Sequence, residues 1–147
     1  SMEYIRHILE YENTAEHVLF MIDIDNFKNL NDTLGHQKGD DFLMDLAKVL
    51  KNCFRDTDVV GRIGGDEFFA FMRNVPDKAA IEKKAKEMRQ VIRKVCANYE
   101  GMNMSGSIGI SMYPRDGHTL DELYNKADQA LYQAKRTGKD KYVICGE

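Results

Sequence analysis

The sequence predicts an α+β fold: a ferredoxin-like βαββαβ core whose central, mostly antiparallel sheet is flanked by helices. Three observations carry this reading. The run HVLFMIDID at 17–25 is apolar and then acidic, as in a buried strand that ends in carboxylates. Gly64-Gly65 separates two β-type runs, 58–63 and 68–72, in the manner of a two-residue hairpin turn. Stretches with helically spaced apolar residues alternate with strand-like stretches through the rest of the chain.

Residues 3–11 read as a short helix ahead of the first strand. Between 37 and 54, Phe42, Leu43, Leu46, Ala47, Leu50 and Phe54 keep helical spacing, and the hairpin 58–72 follows. Pro76-Asp77 opens a long helix with Ile81, Ala85, Met88, Ile92 and Val95 on its inner face. Residues 102–113 alternate through Met102, Met104, Gly106, Ile108, Ile110 and Met112, which is a strand. Pro114-Arg115-Asp116-Gly117 is a turn, and Thr119 caps a helix carrying Leu120, Leu123, Ala127, Ala130, Leu131 and Ala134. Gly138 stops that helix, and 141–145 is a short final strand. The predicted order is α-β-α-β-β-α-β-α-β, with no repeat, low-complexity run or linker, so residues 1–147 are expected to form a single domain.

With 43% hydrophobic and 31% charged residues, the composition is that of a globular protein with a real core. A net charge of −3 argues against a surface that neutralises many nucleic-acid phosphates, and the strands lack an exposed aromatic platform for stacking bases. That removes the RNA-binding reading open to a ferredoxin-like topology, and no nucleic-acid partner is expected. Cys53, Cys96 and Cys145 are odd in number, far apart and in no CxxC pair, which reads as reduced thiols in a cytoplasmic protein. No apolar run approaches the length of a membrane span, so this stretch is expected to make no membrane contact itself. Ser1-Met2 looks like an added head before an internal start, so a longer parent is expected, with a sensor or membrane segment ahead of this stretch.

The stretch Arg62-Ile63-Gly64-Gly65-Asp66-Glu67-Phe68 carries the chemistry. Glycines let backbone approach a ligand closely, and adjacent carboxylates beside such a turn supply hard oxygen ligands for Mg²⁺. The plain alternative is an exposed hairpin tip with two solvated acids. If the 17–25 strand is central and beside the hairpin, Asp23 and the Asp66-Glu67 pair meet at one sheet end. Three carboxylates and a backbone carbonyl there would hold one or two Mg²⁺, the layout that joins a nucleoside hydroxyl to an α-phosphate.

The wider pattern is Asp23-x-Asp25-x-Phe27-Lys28-x-x-Asn31-Asp32-x-x-Gly35-His36-x-x-Gly39-Asp40, followed by Arg62-x-Gly64-Gly65-Asp66-Glu67-Phe68. Further on come Ser107-Ile108-Gly109-Ile110, Pro114-x-Asp116-Gly117 and Ala127-Asp128-x-Ala130-Leu131-Tyr132-x-Ala134-Lys135. In order and spacing over residues 17–145, this resembles the GGDEF family of diguanylate cyclases. The family's leading Asp-x-Leu-Thr-x-Leu-x-Asn-Arg stretch is missing.

The resemblance implies a fold similar to the nucleotide cyclase and polymerase palm, and an Mg²⁺-dependent nucleotidyltransferase (Mn²⁺ being an alternative) that condenses GTP into cyclic di-GMP. It implies metal ligation by Asp23, the carbonyl of Ile24, Asp66 and Glu67, with Asp66, Glu67 and Lys28 in the catalytic group. It places Asn31, Asp40 and Leu43 at the guanine and ribose. Phe27, Gly64 and Gly65 fall among the substrate-binding positions, with Lys135 and Lys139 at the phosphates. Lys139 stands where the family often has arginine, which reduces a bidentate contact to a point charge. A carboxylate at Asp40 can accept the paired N1–H and N2–H₂ donors of guanine, which adenine does not offer. Arg55-x-x-Asp58 matches the family's inhibitory product site, for which Arg89 is a candidate extra arginine. His36 reads as structural, and His7, His17 and His118 show no partner in the sequence. A second protomer is implied, since each domain holds one nucleotide. The alternative is a non-catalytic domain that senses GTP or cyclic di-GMP.

Overall fold

The computed structural model describes residues 2–147. In chain order the elements are α1 (Met2–Tyr11), β1 (His17–Asp25), α2 (Phe27–Leu34), α3 (His36–Asn52), β2 (Val59–Gly64), β3 (Glu67–Met72), α4 (Lys78–Cys96), β4 (Ser105–Tyr113), α5 (Leu120–Arg136) and β5 (Tyr142–Ile144). The sheet order is β2-β3-β1-β4-β5. All neighbours are antiparallel except β5, which runs parallel to β4 at the edge. This is the expected α+β architecture with β1 at its centre.

Strand alternation sorts the apolar residues into two cores. Val18, Phe20, Ile22 and Ile24 of β1 pack with Phe68 and Ala70 of β3 beneath α2, α3 and α4. Leu19 and Met21 face the other way, with Phe69 and Phe71, beneath α1 and α5. Asp23 and Asp25 continue the parity of Leu19 and Met21, so they lie on the α5 face, where the apolar core runs out.

α2 has no counterpart in the predicted order. Its eight residues include Asn29, Asn31, Asp32 and Thr33, all poor helix formers, and only Phe27 and Leu30 are buried. Tertiary contacts hold it: Asn26 takes a left-handed φ of 62°, and the Asn26 and Asn29 amides donate to the carbonyls of Asn103 and Met102. Gly35, at φ 91°, breaks the chain between α2 and α3.

The hairpin also differs from expectation by one residue. Its turn is Gly65-Asp66, not Gly64-Gly65, because Gly64 pairs with Glu67 and Arg62 with Phe68, leaving Ile63 as a bulge. Gly65 takes the left-handed φ of 53° that the turn needs. The slip places Asp66 at the tip and Glu67 on the strand. β4 begins at Ser105 rather than 102, and Met102 packs instead under α2 and α3. The Thr119 cap is a full capping box with Glu122. Cys53 and Cys96 are buried, free thiols. His17 does have partners: Nδ1 accepts from the Asn74 N–H at 3.1 Å, so the proton sits on Nε2, which donates to the Glu12 carbonyl at 2.9 Å.

Candidate active site

β1 and β3 bring the acidic residues together. Asp23 stands directly opposite Glu67 in the antiparallel register, and the Ile24 N–H donates to the Asp66 carbonyl at 3.4 Å. In an extended strand the N–H and C=O of one residue project to the same side. The Ile24 carbonyl therefore also faces the turn.

The electrostatics show crowding of like charge. Burial pushes the Asp23 carboxyl up to about 6; Lys135 pulls it down and the Asp66 carboxylate adds to the rise. Burial, then the charges of Asp23 and Asp128, push Glu67 up as well. Asp23 Oδ1 is buried with no hydrogen-bond partner among the described residues. Hard oxygen donors, mutual repulsion and one orphaned carboxylate oxygen suit a divalent cation such as Mg²⁺. The fit is not a preformed cage: the described residues hold no cluster of three or more His, Cys, Asp or Glu ready for a metal. Asp23 Oδ2 instead leans on Lys135 Nζ at 3.2 Å.

A titration follows. The Asp23 pKa rises from 3.8 to about 6 on folding, so the fold binds this proton more tightly than the unfolded chain does. Its contribution is therefore most favourable below about pH 4 and is lost as pH rises through about 6. Asp23→Asn is expected to raise metal-free stability at pH 7 by about 1 kcal/mol, a few degrees in melting temperature, and to change little at pH 4. Thermal melts at the two pH values check this, and the gain at pH 7 should shrink when Mg²⁺ is added.

Asp25 was not foreseen as a site residue. Its carboxylate is fully buried and accepts from Ser105 Oγ, Ser107 Oγ, the Asp140 N–H and Lys135 Nζ. Burial would push its pKa up, but these hydrogen bonds, led by Lys135, hold it below the usual value. Lys135, despite burial, is held above its own by the same pair and by Asp23. The sequence carried a signal: Ser105, Ser107 and Ser111 alternate along one face of an otherwise apolar strand.

On the other face of the sheet end, a cleft of about 510 Å³ is lined by Asp40, Leu43, Met44, Ala47 and Lys51 of α3, by Val60, Gly61 and Arg62 of β2, and by Phe68. Asp40 is exposed and Leu43 buried at the cleft wall. Asn31 lies one helix away, its Oδ1 over Gly39, where a Cβ would come within 1.9 Å of it. Phe27 belongs to the core, its ring 5.9 Å from Phe42, so its side chain is not free for a ligand. Lys28 and Lys139 are exposed and make no ion pair among the described residues.

Arg55 and Asp58 pair with each other, Nε to Oδ2 and Nη2 to Oδ1, both at 3.3 Å. The Asp58 side chain is only 2% exposed and also accepts from the N–H groups of Arg55 and Arg73 at 3.0 Å. Asp58 is thus engaged in holding the turn, while the Arg55 side chain is 60% exposed and its Nη2 also donates to the Arg73 carbonyl at 2.5 Å. Arg89 is bonded to Asp140, away from this pair.

A family model described as "Diguanylate cyclase, GGDEF domain" matches residues 3–141. The chain is 38% identical over 128 residues to Diguanylate cyclase A of Treponema denticola, covering 86% of this chain but only 34% of that protein. Among solved structures, the GGDEF domain of YfiN (TpbB) from Pseudomonas aeruginosa superposes with a TM-score of 0.88 at 28% identity, covering 98% of this chain and 86% of the other. The active GGEEF domain of a diguanylate cyclase from Vibrio cholerae gives 0.81 at 30% identity, covering 99% and 92%. No described helix is long and apolar enough to cross a membrane.

Proposed function

The chain belongs to the GGDEF family of diguanylate cyclase domains, and from that membership we propose that it condenses two GTP into cyclic di-GMP with release of two pyrophosphates. The observation that carries this reading is the pairing of Asp23 with Glu67, under the Asp66 turn, at the same sheet end whose other face carries a cleft walled by Asp40 and Leu43. Paired carboxylates at a sheet end, with a base-sized cleft on its other face, suit a nucleoside triphosphate with its metal.

In this reading Asp40 accepts the N1–H and N2–H₂ of guanine, Asn31 bonds the same edge or the ribose, and Leu43 lies against the base. Phe27 contributes by seating the first turn of α2, and Gly64 and Gly65 by leaving the hairpin tip open to phosphate. Asp23, Glu67, Asp66 and the Ile24 carbonyl would hold Mg²⁺. The metal, when bound, neutralises triphosphate charge and makes the attacking hydroxyl more acidic. Asp66 takes the proton of the 3′-hydroxyl. That oxygen then bonds to the α-phosphorus of the other GTP, the bond to the β-phosphate breaks, and pyrophosphate leaves with the electron pair. Lys28, Lys135 and Lys139 meet the phosphate charges.

Each protomer supplies one nucleotide, so two must face each other in a transient homodimer for both ring bonds to close. The expected location is the cytoplasm, where GTP is available. The test is to incubate the purified chain at high concentration with GTP and Mg²⁺ and follow products by chromatography. One cyclic di-GMP per two pyrophosphates from GTP, and none from ATP, is the expected result. Nucleotide binding without product would instead favour a sensor of GTP or cyclic di-GMP.

Arg55 supports a second part of the proposal, feedback by product. An exposed guanidinium can stack on guanine and bond its acceptor edge, with Asp58 holding the turn that presents it. Arg55→Ala is expected to leave initial turnover intact and to relieve inhibition by added cyclic di-GMP by about tenfold or more in the inhibitory concentration. An unchanged inhibition curve would place the product elsewhere.

A further inference from the structure

Lys135 is not simply a surface cation. Its Nζ lies 2.7 Å from Asp25 Oδ1 and 3.2 Å from Asp23 Oδ2. An ammonium has three donors, and these two contacts use two of them. The side chain remains 25% exposed at the sheet end, so the third donor has room to meet an incoming oxygen.

Asp25 itself is the fixed point. Its carboxylate is 0% exposed and is gripped from three elements. Ser105 Oγ donates to Oδ2 at 2.6 Å, and Ser107 Oγ to Oδ1 at 2.8 Å and Oδ2 at 3.0 Å, both from β4. Lys135 comes from α5, and the Asp140 N–H, 3.1 Å away, comes from the loop before β5.

That loop carries the other cation. Gly138, Lys139 and Asp140 take φ values of 121°, 60° and 49° in succession. Consecutive left-handed non-glycine residues are costly unless their surroundings fix them. Here Asp25 holds the Asp140 N–H, while Arg89 and Arg93 hold the Asp140 carboxylate at 3.2 and 3.0 Å. A buried ion pair adds little net stability by itself. What Asp25 fixes is therefore the informative part: one end of Lys135 and the backbone beside Lys139.

We propose that Asp25 is a positioning residue, which anchors Lys135 and the Lys139 loop so that both ammonium groups address the phosphate chain of the nucleotide. The proposal rests on the GTP reading above. Lys135 keeps its bond to Asp25 throughout and exchanges Asp23 for phosphate when the substrate and metal arrive, which frees Asp23 for the metal.

The test compares two probes with Mg²⁺ present: 3′-deoxy-GTP, which lacks the attacking hydroxyl, and GMP, which lacks the outer phosphates. Asp25→Asn is expected to weaken 3′-deoxy-GTP by about tenfold or more while GMP binding stays within about twofold. Lys135→Met should show the same selectivity, and the double variant little further loss, because both changes act through one contact. If Asp25→Asn does not fold, Ser105→Ala with Ser107→Ala removes two donors from the carboxylate, and a selective loss of about threefold is expected. Equal weakening of both probes, or additive single effects, overturns the positioning role alone. Failure of the unaltered protein to bind 3′-deoxy-GTP at all overturns the GTP reading, and this proposal with it.

Discussion

Asp66→Ala is expected to reduce cyclic di-GMP formation by about 10³-fold or more without unfolding the protein. The two halves of that expectation come from different atoms. The backbone of Asp66 shapes the turn, its carbonyl accepting from Ile24, and Gly65 supplies the left-handed turn residue. Alanine keeps both. The side chain contributes only charge, crowding a half-buried Asp23 whose carboxyl is already pushed up to about 6. Removing it relieves repulsion, so the metal-free variant should melt no lower than the parent. Turnover, in contrast, should collapse if Asp66 has the role proposed for it, as a metal-side carboxylate and the group that takes the 3′-hydroxyl proton. Activity and thermal melts on the same preparation check this. Loss of both activity and fold would mean that the side chain is structural.

Gly109→Ala is expected to cost about 3 kcal/mol or more of stability. Gly109 lies on β4 where α5 crosses it. A Cβ there would stand 2.1 Å from the Ala127 carbonyl oxygen, 2.3 Å from the Leu131 nitrogen and 2.8 Å from the Leu131 Cα. All three are backbone atoms of a helix, so no rotamer change relieves the clash, and α5 must lift from the sheet. The consequence reaches the site, because α5 carries Lys135 and β4 carries Ser105 and Ser107. Denaturant titration should show a lowered midpoint, and a loss below about 1 kcal/mol would mean that α5 is not seated as described. Gly106 is the milder comparison: a Cβ there meets the Ile92 Cδ1 at 2.8 Å and Cγ2 at 3.1 Å, side-chain atoms rather than helix backbone.

The strands and long helices were legible because their periodicity is also their burial. The inner-face residues Ile81, Ala85, Met88, Ile92 and Val95 are all buried along α4. α2 was not legible, since its poor helix formers are held by the Asn26 and Asn29 bonds to a segment more than 70 residues away. The hairpin turn slipped by one residue because either glycine could occupy the turn, and only cross-strand pairing with β3 selects Gly65. In the site, the sequence named Asp23, Asp66 and Glu67, and β1–β3 pairing brings them together. Asp25 escaped because its function depends on partners from β4, α5 and the following loop, none of them near it in sequence. Phe27 was placed among ligand-binding positions by its neighbours in the motif, whereas its ring is core.

The central expectation is that one chain holds half of a cyclising site. Its most direct test is cyclic di-GMP formation from GTP and Mg²⁺ across a dilution series of the purified chain. The expected result is product whose amount per protomer falls as the protein is diluted, because two loaded domains must meet. GTP bound at every concentration with no cyclic di-GMP at any of them would contradict it.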